Sequence, residues 1–316
     1  MTKFKCHFCA MCNGQACKSE LPGMGGVREN ENFMLNVCGW KNVRKEYREK
    51  IESYLSQSVE FRIPKISVAP MTGAVENMGY GEESEYYEEI ANASSNVGIG
   101  LCLGDGFPDE KLKFGIRAIE RIREREKNAM RASVFIKPYS NERIIERIGW
   151  ASKIADLVGI DIDSYNILTM RNLVNLEKKD AARLSEIRDF VHGKLGVPFS
   201  IKGIFTDDDI ELVKKVRPDV AYISNHGGRI DTRTGSTAEY LAKNAAELRK
   251  WCGEVWVDGG IRTPLDVATA HALGADRVLI GRPFVTALCQ DGERGVCGKV
   301  LEMSMIRFGA DSYRDE

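Results

Sequence analysis

From residue 66 onward the chain alternates two kinds of pattern. Short continuous apolar runs rich in Val, Ile and Leu are separated by longer stretches with apolar positions at helical spacing. The runs predict strands over Ile66–Ala69, Val97–Leu101, Ser133–Ile136, Leu157–Ile162, Phe199–Lys202, Val220–Ser224, Val255–Asp258 and Val278–Gly281. The intervals predict helices, among them Asp109–Glu126, Asn141–Ala155, Asp180–Leu195, Asp207–Val216, Thr237–Trp251 and Pro264–Leu273. Helix ends are punctuated as expected: acidic residues follow Thr206, Pro264 follows the cap Thr263, and Gly274 stands where a helix stops. Regular β–α alternation implies a parallel sheet covered by helices, and eight units are the count of a closed (β/α)8 TIM barrel. A doubly wound open sheet is the rival, but its early G-x-G-x-x-G turn is absent and the Gly-rich turns come late. Residues 1–65 show no clear strand and carry helical character at Val43–Ser56. They predict an N-terminal Cys-rich extension packed on a barrel of residues 66–316, with the boundary near Pro64.

Composition narrows the partners. With 45 basic against 46 acidic residues, the net charge of −1 gives no electrostatic reason to expect nucleic acid or an anionic membrane. No apolar run approaches the ~20 residues that span a bilayer. The first residues lack the apolar core of a secretory signal, so a cytoplasmic protein is expected. Its nine cysteines then read as thiols or ligands, not structural disulfides. Cys6, Cys9, Cys12 and Cys17 form a C-x2-C-x2-C-x4-C cluster that suits an iron–sulfur cluster or zinc. The spacing departs from the ferredoxin pattern, and reduced thiols remain the alternative.

In a barrel of this kind, chemistry belongs at the C-terminal ends of the strands. Polar residues fall there in order. Asp163 is expected to close the fourth strand and Lys202 the fifth, and the loop Ser224-Asn225-His226-Gly227-Gly228-Arg229 follows the sixth. Asp258-Gly259-Gly260-Ile261-Arg262 closes the seventh and Gly281-Arg282-Pro283 the eighth. His226 offers a proton acceptor near neutral pH, and Arg229 a planar fork matched to a carboxylate. The last two loops suit a phosphate, with Gly N–H groups to cradle it and Arg to neutralise it. Together these residues point to proton abstraction from an acid substrate beside a phosphate-bearing cofactor.

Ser200-Ile201-Lys202-Gly203, the Ser224–Arg229 loop, Asp258–Arg262 and Gly281-Arg282-Pro283 resemble the FMN-dependent 2-hydroxy acid oxidase and dehydrogenase family. Ala69-Pro70-Met71 looks like that family's first-strand flavin loop, and the likeness covers about residues 60 to 310. The resemblance implies FMN as cofactor, a small-molecule hydroxy acid substrate, an electron acceptor of unknown kind and a homo-oligomer. It implies His226 as the base that takes a proton as the C2 hydrogen leaves for flavin N5. Asp163 would orient His226, Arg229 would hold the substrate carboxylate, and Lys202 would lie beside flavin N1 and O2. Ala69, Pro70, Met71 and Asp258 would contact the flavin and its ribityl chain, and Gly259, Gly260, Arg262, Gly281 and Arg282 its phosphate end.

The pattern also departs from the family. Its two substrate-facing tyrosines fall by spacing at Pro22 and Pro138, with Tyr139 adjacent to the second. Its flavin-contacting Gln appears as Ile136 or Lys137, and its Thr before the catalytic Asp appears as Asp161, a second carboxylate that calls for a partner such as Lys137. The leading expectation is an FMN-dependent oxidoreductase acting on a small 2-hydroxy acid or related carboxylated substrate. An electron-transfer flavoprotein using the N-terminal cysteines and an FMN-dependent isomerase are the alternatives.

Overall fold

A computed structural model describes residues 31–57, 65–78, 80–126, 130–167, 173–230 and 232–304. Eight parallel strands follow one another in sequence order around a closed barrel: β1 (Ile66–Met71), β2 (Gly100–Gly104), β3 (Ala132–Ile136), β4 (Leu157–Asp161), β5 (Phe199–Ile204), β6 (Val220–Ile223), β7 (Glu254–Val257) and β8 (Arg277–Ile280). Closure comes from β1 pairing with β8, which leaves no strand edge exposed. The expected TIM barrel is the observed fold.

Helices cover the outside: α1 (Glu31–Glu46), α2 (Arg48–Gln57), α3 (Glu83–Val97), α4 (Glu110–Arg125), α5 (Asn141–Ala151), α6 (Ala181–Leu195), α7 (Asp207–Val216), α8 (Thr237–Leu248), α9 (Pro264–Ala272) and α10 (Arg282–Ser304). Thr206 and Thr263 each form a capping box, with Asp209 and Asp266 respectively, which satisfies two otherwise orphaned N–H groups per helix. The main core lies between barrel and helices and includes Val68, Leu103, Val134, Ile160, Ile201 and Ile223. A second cluster fills the lumen with Phe135, Tyr222, Trp256 and Leu279 among others. Each fully buried side chain of this kind contributes about 1.5–3 kcal/mol.

Some element ends differ from expectation. The second strand begins at Gly100 rather than Val97, because α3 runs through Val97 and ends on Gly98 at φ 71°. Val97 and Ile99 are apolar because they pack against the core at this helix end. The fourth strand ends at Asp161, and Asp163 sits on a single 3-10 turn, Ile162–Asn166. The fifth strand continues past Lys202 to Ile204. Pro64 lies outside the described residues. Among the described residues, no helix is long and apolar enough to cross a membrane.

Candidate active site

Strand register builds the floor of the site. Asp161 on β4 pairs in register with Lys202 on β5, Lys202 with Tyr222 on β6, and Tyr222 with Trp256 on β7. Neighbours in register point to the same side of a sheet, so these side chains share one level of the lumen. Lys202 Nζ lies 2.7 Å from Asp161 Oδ1 and 5.5 Å from the centre of the Tyr222 ring. Tyr222 donates its hydroxyl to Asp258 Oδ2 at 2.8 Å and meets the Phe135 ring edge-on at 5.3 Å. An aromatic layer thus supports the charged groups from below.

His226 stands above this floor. It opens a single 3-10 turn after β6, and its φ of 57° is left-handed, a conformation uncommon outside glycine. Asn225 stabilises the turn by accepting the Gly228 N–H at 2.9 Å, and Ser224 Oγ accepts the His226 N–H at 3.1 Å. His226 Nδ1 is 3.0 Å from Asp163 Oδ1 and 3.7 Å from Asp161 Oδ2. Strained backbone that aims a titratable ring at a buried carboxylate is characteristic of functional sites.

The electrostatics follow from burial and from Lys202. Burial, then Lys202, push the imidazole well below its ordinary value; Asp161 opposes this, while Arg229 and Lys137 add to it. Burial lifts the Asp163 carboxyl well above its ordinary range, Lys202 works against that, and Asp161 adds to it. Burial opposes charge on Asp161 too, but Lys202 and His226 outweigh it and hold that carboxyl below its ordinary range. Burial likewise disfavours the Lys202 ammonium, yet Asp161, Asp163 and Asp258 hold it protonated. Asp161 and Asp163 act on each other, and one is lowered as the other is raised. Asp161, Asp163 and His226 bring their polar atoms within 4.8 Å of one another. Lys202 supplies the positive charge there, 2.7 Å from Asp161 and 3.8 Å from Asp163.

A cavity opens at the C-terminal ends of the strands. It is lined by Ala69, Pro70, Met71, Lys202, His226, Arg229, Asp258, Gly259, Gly260, Arg262, Gly281 and Arg282. Every residue expected at the site, apart from the cysteines, is on this wall or, for Asp163, behind His226. Asp258 Oδ1 is buried with no hydrogen-bond partner among the described residues, and burial raises that carboxyl's pKa. Arg282 begins α10 and donates to the Gly227 carbonyl at 3.0 Å, while Arg262 donates its backbone N–H to Asp266 at 2.9 Å. A buried, unsatisfied acceptor beside several cations suits a ligand carrying hydroxyls at one point and an anion at another.

Two readings change in detail. Asp161 is paired with Lys202, and Ser164 Oγ donates to its other oxygen at 2.7 Å; Lys137 instead donates to the Asp105 carbonyl. Tyr139 is buried under the Arg147 guanidinium, 4.5 Å from its ring centre, and does not line the cavity. At Gly228 and Gly260 the absence of a side chain admits the backbone of α1. A Cβ at Gly228 would lie 2.5 Å from Phe33 Cα, and one at Gly260 1.9 Å from the Asn36 carbonyl oxygen. Cys6, Cys9, Cys12 and Cys17 lie outside the described residues.

The contribution of α1 was missed from sequence. Asn32, Asn36, Trp40 and Arg44 recur every four residues and form one buried stripe facing the site loops. Asn32 donates to the Ile230 and Arg233 carbonyls, both at 2.7 Å, and accepts from Gly235 N at 2.7 Å. Asn36 exchanges hydrogen bonds with Asn225 at 2.7 and 3.1 Å and accepts from Thr237 N at 3.0 Å. Trp40 donates to the Gly259 carbonyl at 2.8 Å, and Arg44 forms a buried ion pair with Asp266 at 2.6 Å. The Phe33 ring lies 4.2 Å from the Arg282 guanidinium. The signal was available, since residues at i, i+4, i+8 and i+12 share a face, but a stripe with two Asn and an Arg ordinarily faces water.

The sequence profile of FMN-dependent dehydrogenases matches residues 118–305, more than half of the chain. The chain belongs to the FMN-dependent dehydrogenase family. It is 39% identical over 138 residues to an L-lactate dehydrogenase of Vibrio parahaemolyticus, covering 42% of this chain and 35% of that protein. It is 42% identical over 112 residues to 2-hydroxyacid oxidase 2 of Bos taurus, covering 35% of this chain and 31% of that protein. The matched region thus spans about a third of the length of these curated relatives. The barrel is similar to a crystal structure of mandelate oxidase, with a TM-score of 0.57 and 22% identity over 76% of this chain and 72% of that one. In this chain the barrel mouth carries a buried ion pair between Asp161 and Lys202.

Proposed function

We propose that this protein binds FMN in the barrel mouth and oxidises a small 2-hydroxy acid or a related carboxylated substrate. The observation that carries the reading is the convergence of the His226–Asp163 pair, Arg229 and Lys202 at one cavity that also holds an unsatisfied Asp258 oxygen. The residues fit FMN: Ala69, Pro70 and Met71 offer a wall, Asp258 an acceptor for ribityl hydroxyls, and Arg262 and Arg282 charge for a phosphate. The first residues of α10 add a helix N-terminus to that end, where anions are favoured.

FMN, when bound, supplies the acceptor for the substrate's two electrons. The chain's own residues do the rest. Arg229 clamps the substrate carboxylate with a charge-assisted hydrogen bond, which fixes the 2-carbon relative to His226. His226 Nε2 takes the proton of the substrate, because the buried imidazole is neutral and Asp163 holds Nδ1–H in the matching tautomer. The ionised Asp163 then stabilises the imidazolium that forms. Lys202, kept protonated by its carboxylate neighbours, supplies positive charge where negative charge accumulates.

The test is anaerobic mixing of the FMN-loaded protein with a panel of 2-hydroxy acids, following flavin absorbance. Bleaching by at least one of them is expected. A protein that takes up no FMN, or that holds FMN unreduced by every acid in the panel, would overturn the reading.

A further inference from the structure

The site holds two carboxylates where orientation of one histidine needs only one. Both are buried; Asp163 lies behind His226, and Asp161 lines the cavity. Lys202 reaches both, at 2.7 Å from Asp161 and 3.8 Å from Asp163. Asp161 is also anchored by Ser164 Oγ at 2.7 Å, so its carboxylate is held at both oxygens. Asp163 has no such anchor: Oδ1 faces His226 Nδ1 at 3.0 Å, and Oδ2 is buried with no hydrogen-bond partner among the described residues. An ammonium in a buried site moves to the best-placed carboxylate, since an ion left unpaired there is strongly disfavoured.

We propose that Asp161 is a positioning residue: it holds the Lys202 ammonium away from Asp163 and so keeps Asp163 available to His226. The role of His226 as base rests on the function proposed above, but the positioning itself is independent of it. Without Asp161, Asp163 is the remaining carboxylate within 4 Å of the Lys202 ammonium, which then competes with the imidazole for it. Without Lys202, both carboxylates act on the imidazole free of its charge, Asp163 at 3.0 Å and Asp161 at 3.7 Å. The remaining charged groups facing the ring, Arg229 on its own loop and Lys137 after β3, are unchanged in either case. The two substitutions therefore move the ring in opposite directions, which a merely structural role for Asp161 does not produce.

The experiment is an NMR pH titration of the His226 ring in the FMN-loaded protein without hydroxy acid. The chain has four histidines, so the His226 signal is assigned by its loss in His226→Gln. Asp161→Asn is expected to lower the His226 midpoint by about one pH unit or more, the scale of one close opposite charge. Lys202→Met is expected to raise it, and the double variant to return towards the native midpoint, a coupling typical of groups in one network. An unchanged midpoint in Asp161→Asn, or an equal shift of the same sign in both single variants, overturns the proposal. Should Asp161→Asn fail to fold, Lys202→Met with an unshifted midpoint overturns it alone. Failure of flavin uptake or reduction would sink the oxidase reading and leave this titration readable on the flavin-free protein.

Discussion

His226 and Asp163 set the pH behaviour of the site. The working form has Asp163 ionised and His226 neutral, so both groups must have released their protons. Reduction of flavin by substrate should therefore rise with pH through the pair's two steps and then level off. Burial pushes the imidazole down and the Asp163 carboxyl up, so the Asp163 step moves towards that of His226. Asp163→Asn deletes that step. What remains is a limb set by His226 alone, displaced to lower pH, with the plateau reduced by about 10²–10⁴-fold, the range for impaired general base catalysis. Stopped-flow reduction across pH checks both features, and a limb that stays in place removes Asp163 from the pair. His226→Ala should retain FMN, because the expected flavin contacts on β1, β7 and β8 do not depend on it, while reduction slows by a similar factor. Loss of bound flavin in that variant would mean that His226 has a holding role. The residues themselves were legible from sequence, since His226, Arg229, Lys202 and Asp258 stand at successive strand ends. The left-handed φ of His226 was not, because backbone strain at a non-glycine residue leaves no mark in composition.

At the scale of elements, the strands were legible because buried parallel strands are continuous apolar runs. Their ends were less so: apolar Val97 belongs to a helix terminus, and Asp163 to a turn that no apolar period announces. The least legible element was α1. Its mixed pattern hides a polar stripe that is buried because its partners lie in the site loops, on backbone groups and on the Asn225 and Asp266 side chains. Such pairing cannot be inferred from one segment. It carries a prediction about the β6 loop, where Asn36 bridges Asn225 and the start of α8. Asn36→Leu removes those bonds and leaves buried groups unpaired, at about 1–3 kcal/mol for each. Hydrogen exchange should quicken at the amides of Gly228 and Thr237 and stay native in β2 and β3. Uniform loss of protection across the barrel would instead show that α1 stabilises the fold as a whole.

For the whole molecule, closure of the barrel separates a packed lumen from a mouth rich in charge. The lumen holds Phe135, Tyr222 and Trp256 in contact, and stability there needs no ligand. The mouth gathers Arg229, Arg262 and Arg282 with the Lys202–Asp161 pair around one cavity, a concentration of cationic side chains that favours an anionic ligand. A ligand that binds only the folded state stabilises it by mass action, by about 2.7 kcal/mol at a hundredfold excess over Kd. FMN should accordingly raise the thermal midpoint by several degrees, in a manner that depends on its concentration. Riboflavin, which lacks the phosphate, should raise it much less if the arginines recognise that group. Arg262→Ala should bring the FMN response close to the riboflavin response while leaving the ligand-free midpoint near native, since a charge-assisted hydrogen bond contributes about 1.5–3 kcal/mol. Equal shifts with FMN and riboflavin in the native protein would place the phosphate in solvent and remove Arg262 and Arg282 from its recognition.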